Sequence, residues 1–189
     1  MWRLTPIEPG QSCDGARQAA GAAPNDGSPI FWRLLAKSRA AMIAYAQAEN
    51  TLAKGVLPQL QREKIALAVA EINGSNYCLA AHEASARQAG LSTDDIKAAR
   101  KASASDFKTE TLLHFVQAIV LQRGDVSDGD FFSMRKAGFS DEEIIEVLAN
   151  VVLNIFSNYF NILAQTDVDH SLTTGPQSPT SRVVAEKSL

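Results

Sequence analysis

The stretch that decides the fold is Arg62-Glu63-Lys64-Ile65-Ala66-Leu67-Ala68-Val69-Ala70-Glu71-Ile72-Asn73-Gly74-Ser75-Asn76-Tyr77-Cys78-Leu79-Ala80-Ala81-His82. Ile65, Val69 and Ile72 recur at helical spacing, so the first half reads as a helix with one apolar face. Asn73-Gly74 stops that helix, because glycine enters the left-handed conformation without a Cβ clash. Ser75 then stands where an N-cap belongs, and its hydroxyl is expected to cap a second helix. Cys78 falls in the first turn of that helix, at the positive end of the macrodipole, which favours thiolate over thiol. His82 lies one turn further along the same face. An imidazole there can take the thiol proton or, as imidazolium, hold the thiolate. A hairpin at Asn73-Gly74 would fold Glu63 back toward His82, to orient the ring or to shuttle a proton.

Each of these residues also has a plainer reading. A lone cysteine in a helix is commonly a small core hydrophobe, and a single glutamate is commonly a solvated charge. His114, in an apolar helix, and His170, near the end of the chain, read as structural or exposed.

Outward from this hairpin the same punctuation recurs, and no stretch alternates as a strand would. Ser28-Pro29 reads as a cap with proline at the first helical position, opening one Ala-rich helical stretch to Lys54 with Gly55 as terminator. Pro58 opens the helix that carries Glu63. The helix after Ser75 runs to Ala89 and stops at Gly90. Ser92 with Asp95, Ser127 with Asp130 and Ser140 with Glu143 are capping boxes for three later helices. Between the first two of these, a helix over 108–123 buries Leu112, Phe115, Val116 and Ile119. The segments 89–96 and 137–144 resemble each other, each a helix stop, an apolar plug and a capping box. The last helix, reaching about Asp167, carries Asn150, Asn154, Asn158 and Asn161 as one stripe. That stripe is either a narrow exposed seam or a buried row facing a subunit interface or an active-site wall. Residues 1–27 read as a loosely ordered segment, 28–170 as one all-α domain, and 171–189 as a polar tail.

Composition removes several function classes. A chain of 189 residues with a net charge of -3 and scattered Lys and Arg offers no field for a phosphate backbone. Nucleic acid is therefore not an expected partner. Two cysteines, Cys13 and Cys78, build neither a disulfide framework nor a zinc site, and no metal or other cofactor is called for. The opening Met1-Trp2-Arg3-Leu4-Thr5-Pro6 has no apolar signal stretch, and the apolar run 147–163, broken by asparagines, falls short of a bilayer span. A cytoplasmic location with no membrane partner is the expectation.

The 62–82 stretch resembles the core motif of the alkylhydroperoxidase D-like, or carboxymuconolactone decarboxylase-like, family. That motif is a glutamate, eleven residues, then Cys-x-x-Cys-x-x-x-His, and Glu63, Cys78 and His82 match it in type and spacing. The likeness extends over about 28–170. It implies an oligomeric alkylhydroperoxidase D-like helical bundle, a trimer or hexamer. In two-thiol members it also implies that one cysteine attacks peroxide and the other resolves the sulfenic acid. Cys78 matches the attacking position, and the other is Ser75, which cannot form a disulfide.

The expected function is a thiol-dependent, peroxidase-like antioxidant activity on hydrogen peroxide or organic hydroperoxides. Its catalytic set is Cys78, His82, Glu63 and Ser75, and its reductant is an external thiol. Two alternatives stand beside it: a decarboxylase-like acid–base enzyme using His82 and Glu63, and a non-catalytic oligomeric scaffold or thiol sensor.

Overall fold

In the computed structural model, residues 3–7 and 29–168 are described, so Cys13, His170 and most of the two terminal segments lie outside them. The described residues form eight helices and no strand: α1 Ile30–Leu35, α2 Arg39–Leu52, α3 Gln59–Asn73, α4 Asn76–Gln88, α5 Thr93–Arg100, α6 Phe107–Gln122, α7 Asp128–Lys136 and α8 Asp141–Ala164. The three capping boxes are formed as expected: the hydroxyls of Ser92, Ser127 and Ser140 accept the amides of Asp95, Asp130 and Glu143 at 3.1, 3.1 and 3.2 Å.

Three helix boundaries differ from the sequence reading. The stretch 28–54 is two helices, because Ser38 is extended (φ -115°, ψ 103°) and its hydroxyl accepts the Ala41 amide to start α2. Pro29 is itself the N-cap of α1 (φ -52°, ψ 144°), so proline does not occupy the first helical position. At the other end α8 stops at Ala164, where Gln165 turns left-handed with φ 54°.

Helix α3 is the axle of the domain, packed against α4, α5, α6 and α8. Ile65, Ala66, Leu67, Ala68, Val69 and Ala70 are all buried, so the middle of α3 has no solvent face, and Ile72 beyond it is only half-buried. The expectation of one apolar face is corrected accordingly. The alanines among those six let neighbouring helices approach closely while the larger residues fill the gaps between them. A second cluster, formed by Phe31, Leu34, Leu35, Met42 and Tyr77 with the thiol of Cys78, lies under α1 and α2. Residues 3–7 run alongside it: Arg3 N–H donates to the Ala164 carbonyl, and buried Ile7 donates to that of Arg33.

The chain between α2 and α3 is held by Glu146 of α8, whose carboxylate accepts the Val56 and Leu57 amides at 3.0 and 3.1 Å. Gly55 sits directly over that carboxylate, and any Cβ there would collide with it.

Helix α8 buries a polar row beside Ile144, Val147 and Val151 and turns an apolar face outward. Asn150, Asn154, Ser157, Asn158 and Asn161 are buried, whereas Ile145, Leu148, Val152, Phe156, Tyr159, Ile162 and Leu163 are exposed. Of the two sequence readings of the stripe, the exposed seam is therefore wrong. Three of its amide nitrogens are satisfied by the helix itself: Asn150, Asn154 and Asn161 donate to the carbonyls of Glu146, Asn150 and Ser157 at 2.8, 2.8 and 2.9 Å. By length and composition alone this helix of 24 residues would suffice to cross a membrane, more than the 147–163 run suggests. Its buried polar face is instead packed on α3 and α4.

Candidate active site

The site begins at the turn between α3 and α4. Gly74 is left-handed (φ 68°), and the Ser75 amide reaches back to the Ala70 carbonyl at 3.0 Å. This closure reverses the chain direction and lays α4 against α3. Glu63 and His82 meet as a result: Glu63 Oε2 lies 3.0 Å from His82 Nδ1, while Ser85 Oγ donates to Glu63 Oε1 at 2.5 Å.

Burial alone would push the Glu63 carboxyl up. The hydrogen bond and charge of His82, the Ser85 hydroxyl and nearby Arg62 outweigh it and hold the group below the ordinary glutamate range. An ionised carboxylate only accepts, so His82 carries its proton on Nδ1 and leaves Nε2 as the basic nitrogen.

Ser75 occupies the N-cap position of α4, but its side chain makes no cap hydrogen bond. The expectation of a capping hydroxyl is corrected, and the reason is conformational. Ser75 stands at φ -86°, ψ 88°, and its hydroxyl is turned into the interior and not onto the first-turn amides. Its Oγ is buried and has no hydrogen-bond partner among the described residues.

Cys78 is buried, at 4% exposure, and reduced. The hydrogen-bond partner of its sulfur is Asn161 of α8, whose Nδ2 lies 3.2 Å away, and no hydrogen bond joins it to His82. Cys78 and His82 instead line one cavity of about 150 Å³, together with Phe31, Trp32, Tyr45, Glu49, Tyr77 and Asn161. A second cavity of about 170 Å³ holds Glu63, Arg62, Asn150 and Asn154, and Tyr45, Glu49 and His82 face both. Asn150, Asn154 and Asn161 thus form part of the walls around the candidate site, whereas Asn158 lines neither cavity and accepts from Asn73 Nδ2 at 3.1 Å. An apolar groove of about 730 Å³ between α2 and α8 is larger than either, but Tyr45 is the one acid–base group on its walls. Chemistry belongs in the smaller cavities.

The structure therefore brings Glu63 and His82 into contact and places Cys78 in the same cavity as His82, while Ser75 plays no capping role. His114 lines a separate cavity beneath Phe107 and Asp130. Tyr45, Glu49, Ser85 and the Cys78 contact of Asn161 are absent from the sequence reading. The stripe pointed to α8, and no local spacing linked α2 to the thiol. Burial pushes the Tyr45 hydroxyl well above its ordinary range, with Glu49 and Cys78 adding to it against a hydrogen bond with Ser157, so it stays protonated. Burial also raises the Glu49 carboxyl; His82 opposes this and Glu63 reinforces it. Two carboxylates shifted in opposite directions flank one imidazole, the arrangement that separates a resting acid from a resting base. Among the described residues, no group of three or more His, Cys, Asp or Glu side chains could hold a metal ion.

A buried thiol beside a Glu–His pair in an all-helical bundle defines the class, and comparison with known proteins agrees. Residues 36–120, which include Glu63, Ser75, Cys78 and His82, match the carboxymuconolactone decarboxylase family. The fold is shared with an alkylhydroperoxidase AhpD core, an uncharacterized peroxidase-related protein from Ralstonia eutropha JMP134. That likeness has a TM-score of 0.76 at 22% identity, over 90% of this chain and 94% of that one. An uncharacterized peroxidase-related protein from Silicibacter sp. TM1040 aligns with a TM-score of 0.71 at 21% identity, over 85% and 84%. The debrominase Bmp8, bound to 2,3,4-tribromopyrrole, aligns with a TM-score of 0.74 at 16% identity, over 90% and 94%. No curated protein matches the sequence. Over residues 36–120 the chain is similar to the carboxymuconolactone decarboxylase family, and its fold is the one shared by these alkylhydroperoxidase-like structures. The structural likenesses establish the common fold alone.

Proposed function

We propose that the protein is a thiol-dependent peroxidase in which Cys78 reduces hydrogen peroxide or an organic hydroperoxide. The observation that carries this reading is the sulfur of Cys78, held as a hydrogen-bond acceptor in a cavity that also receives His82 of the Glu63–His82 pair. In the reaction, the Cys78 proton passes to His82, and the sulfur attacks the terminal peroxide oxygen. The S–O bond forms as the O–O bond breaks, sulfur is oxidised by two electrons, and the alkoxide leaves with the proton from His82. Glu63 keeps the ring in the tautomer that accepts and returns that proton. An external thiol then displaces water from the sulfenic acid, and a second thiol frees Cys78, because Ser75 offers no sulfur of its own. Such recycling suits the reducing cytoplasm.

A homo-oligomer, trimer or hexamer, belongs to this reading, with a neighbouring copy covering the apolar outer face of α8. The experiment is mass spectrometry of Cys78 after one equivalent of peroxide, with peroxide consumption followed in wild type and Cys78→Ala. A sulfenic acid at Cys78, with consumption lost in the variant, is the expected result. Undiminished consumption by Cys78→Ala overturns the reading.

A second reading has its own observation. The Glu63–His82–Ser85 arrangement is complete without the thiol, and Glu49 adds a second carboxyl beside the imidazole. That set could serve decarboxylation or proton transfer on a small lactone or keto acid. This reading tolerates Cys78→Ala, and a non-catalytic scaffold or thiol sensor tolerates loss of the whole trio.

A further inference from the structure

Resting on the reading of Cys78 as the reacting thiol, we propose that Asn161 is a catalytic residue with two separate jobs. Its amide N–H stabilises the negatively charged sulfur before attack, and its amide oxygen receives the hydroxyl that the sulfur gains.

The amide cannot be turned the other way. Asn161 Nδ2 lies 2.9 Å from the Ser157 carbonyl, which only accepts, so the nitrogen must face it. The same nitrogen lies 3.2 Å from Cys78 Sγ, so its two hydrogens serve one carbonyl and one sulfur. A hydrogen bond donated to an ionised acceptor is stronger than one to a neutral acceptor, so the contact favours the attacking form of the sulfur.

The oxygen of that amide is the second observation. Asn161 is 2% exposed and its Oδ1 has no hydrogen-bond partner among the described residues. An unpaired buried acceptor is a standing penalty, and such groups persist where a function uses them. Reduced Cys78 has its sulfur committed as an acceptor and gives Oδ1 nothing. After oxidation the sulfur carries an O–H one bond away, a stronger donor than the thiol S–H it replaces, beside an amide that holds both a donor and an unpaired acceptor.

The consequence concerns the next oxidation. A sulfenic acid is oxidised to sulfinic acid when its oxygen-bearing sulfur, as the sulfenate anion, attacks a second peroxide. In that step a second S–O bond forms, a second O–O bond breaks, and an alcohol leaves with the sulfenic proton. An acceptor that holds the sulfenic O–H keeps the proton in place and slows the step. With Ser75 in place of a second thiol, the sulfenic acid waits for an external thiol, so its protection matters more than in a two-cysteine site.

Two variants separate the jobs. Asn161→Leu keeps the volume and removes both polar atoms. The Ser157 carbonyl still has the helical N–H of residue 161, so the fold is expected to tolerate the change. Asn161→Asp keeps an acceptor and removes the donor. Wild type, both variants and Asn158→Ala are treated with hydrogen peroxide and with cumene hydroperoxide. Sulfenic acid is trapped with dimedone, and sulfenic and sulfinic Cys78 are counted by mass spectrometry. Asn158→Ala removes another buried α8 amide that does not bond the sulfur.

First oxidation is expected to slow roughly ten-fold or more in Asn161→Leu and Asn161→Asp, the low end of what a charge-assisted hydrogen bond is worth. The share of sulfinic acid rises in Asn161→Leu and stays at the wild-type value in Asn161→Asp. Asn158→Ala matches wild type in both readings. If wild type is oxidised at Cys78 and Asn161→Leu matches it in rate and in sulfinic share, the inference about Asn161 is overturned while the peroxidase reading stands. If wild type shows no oxidation at Cys78, the peroxidase reading itself is overturned.

Discussion

Glu63 and His82 stand on different helices, on either side of a left-handed glycine, and their side chains meet at 3.0 Å. The pair is mostly buried, with the side chains 13% and 29% exposed respectively, so the Glu63 carboxylate relies on its protein partners more than on water.

Glu63→Gln keeps the shape of this contact and removes its charge. The rate of Cys78 oxidation at neutral pH is expected to fall by about 10²-fold or more, the range for loss of acid–base assistance. The same variant changes acid stability. Glu63 titrates below its ordinary value of 4.5 in the folded protein, so its contribution is present above that pH and is lost as pH falls through the folded value. Urea unfolding at successive pH values below 4.5 should therefore show a shallower loss of stability in Glu63→Gln than in wild type.

Glu49 carries the opposite sign. Its folded value is raised from 4.5, so its contribution is fully present below that pH and is lost as pH rises through the folded value. At pH 7 Glu49→Gln is expected to be the more stable protein, by a small margin because the residue as a whole is exposed and solvent screens it. At pH 4 the difference should vanish. Melting curves at the two pH values check this, and a variant less stable than wild type at pH 7 would contradict it.

Ser75→Cys restores a second thiol at the N-cap position, three residues before Cys78. Oxidation of that variant should yield a disulfide between the introduced thiol and Cys78, whereas the wild type should yield a sulfenic acid that a small thiol reverses. Peptide mapping after peroxide treatment distinguishes the two. A Cys13–Cys78 disulfide in the wild type would replace this account of recycling.

The outward face of α8 predicts an assembly. Val152 and Phe156 are 56% and 42% exposed on a helix whose polar side is already buried. Light scattering at micromolar concentration should report a species several times the 20.3 kDa chain, and Val152→Lys with Phe156→Lys should reduce it. A wild type that scatters as 20.3 kDa refutes the oligomer.

What could be read in the sequence was local. A capping box is written within four residues, so the starts of α5, α7 and α8 are visible in it, and the Gly74 turn makes the meeting of Glu63 and His82 foreseeable. The break at Ser38 is hidden in the sequence because alanines on both sides carry helical propensity straight through it. The periodicity of α8 shows that the helix has a polar and an apolar side, but which side packs inward depends on partners elsewhere in the chain. The same limit hides Asn161, which reaches Cys78 across 83 positions, and Tyr45 and Glu49, which arrive from α2 with no motif around them.

His82 is a party wall between two rooms. One room contains the sulfur and is lined by the rings of Phe31, Trp32 and Tyr77; the other contains Glu63 and Arg62. A bulky guest lodged against the sulfur would leave the second room free, so His82 would keep its side toward Glu63 unobstructed while the front room is occupied.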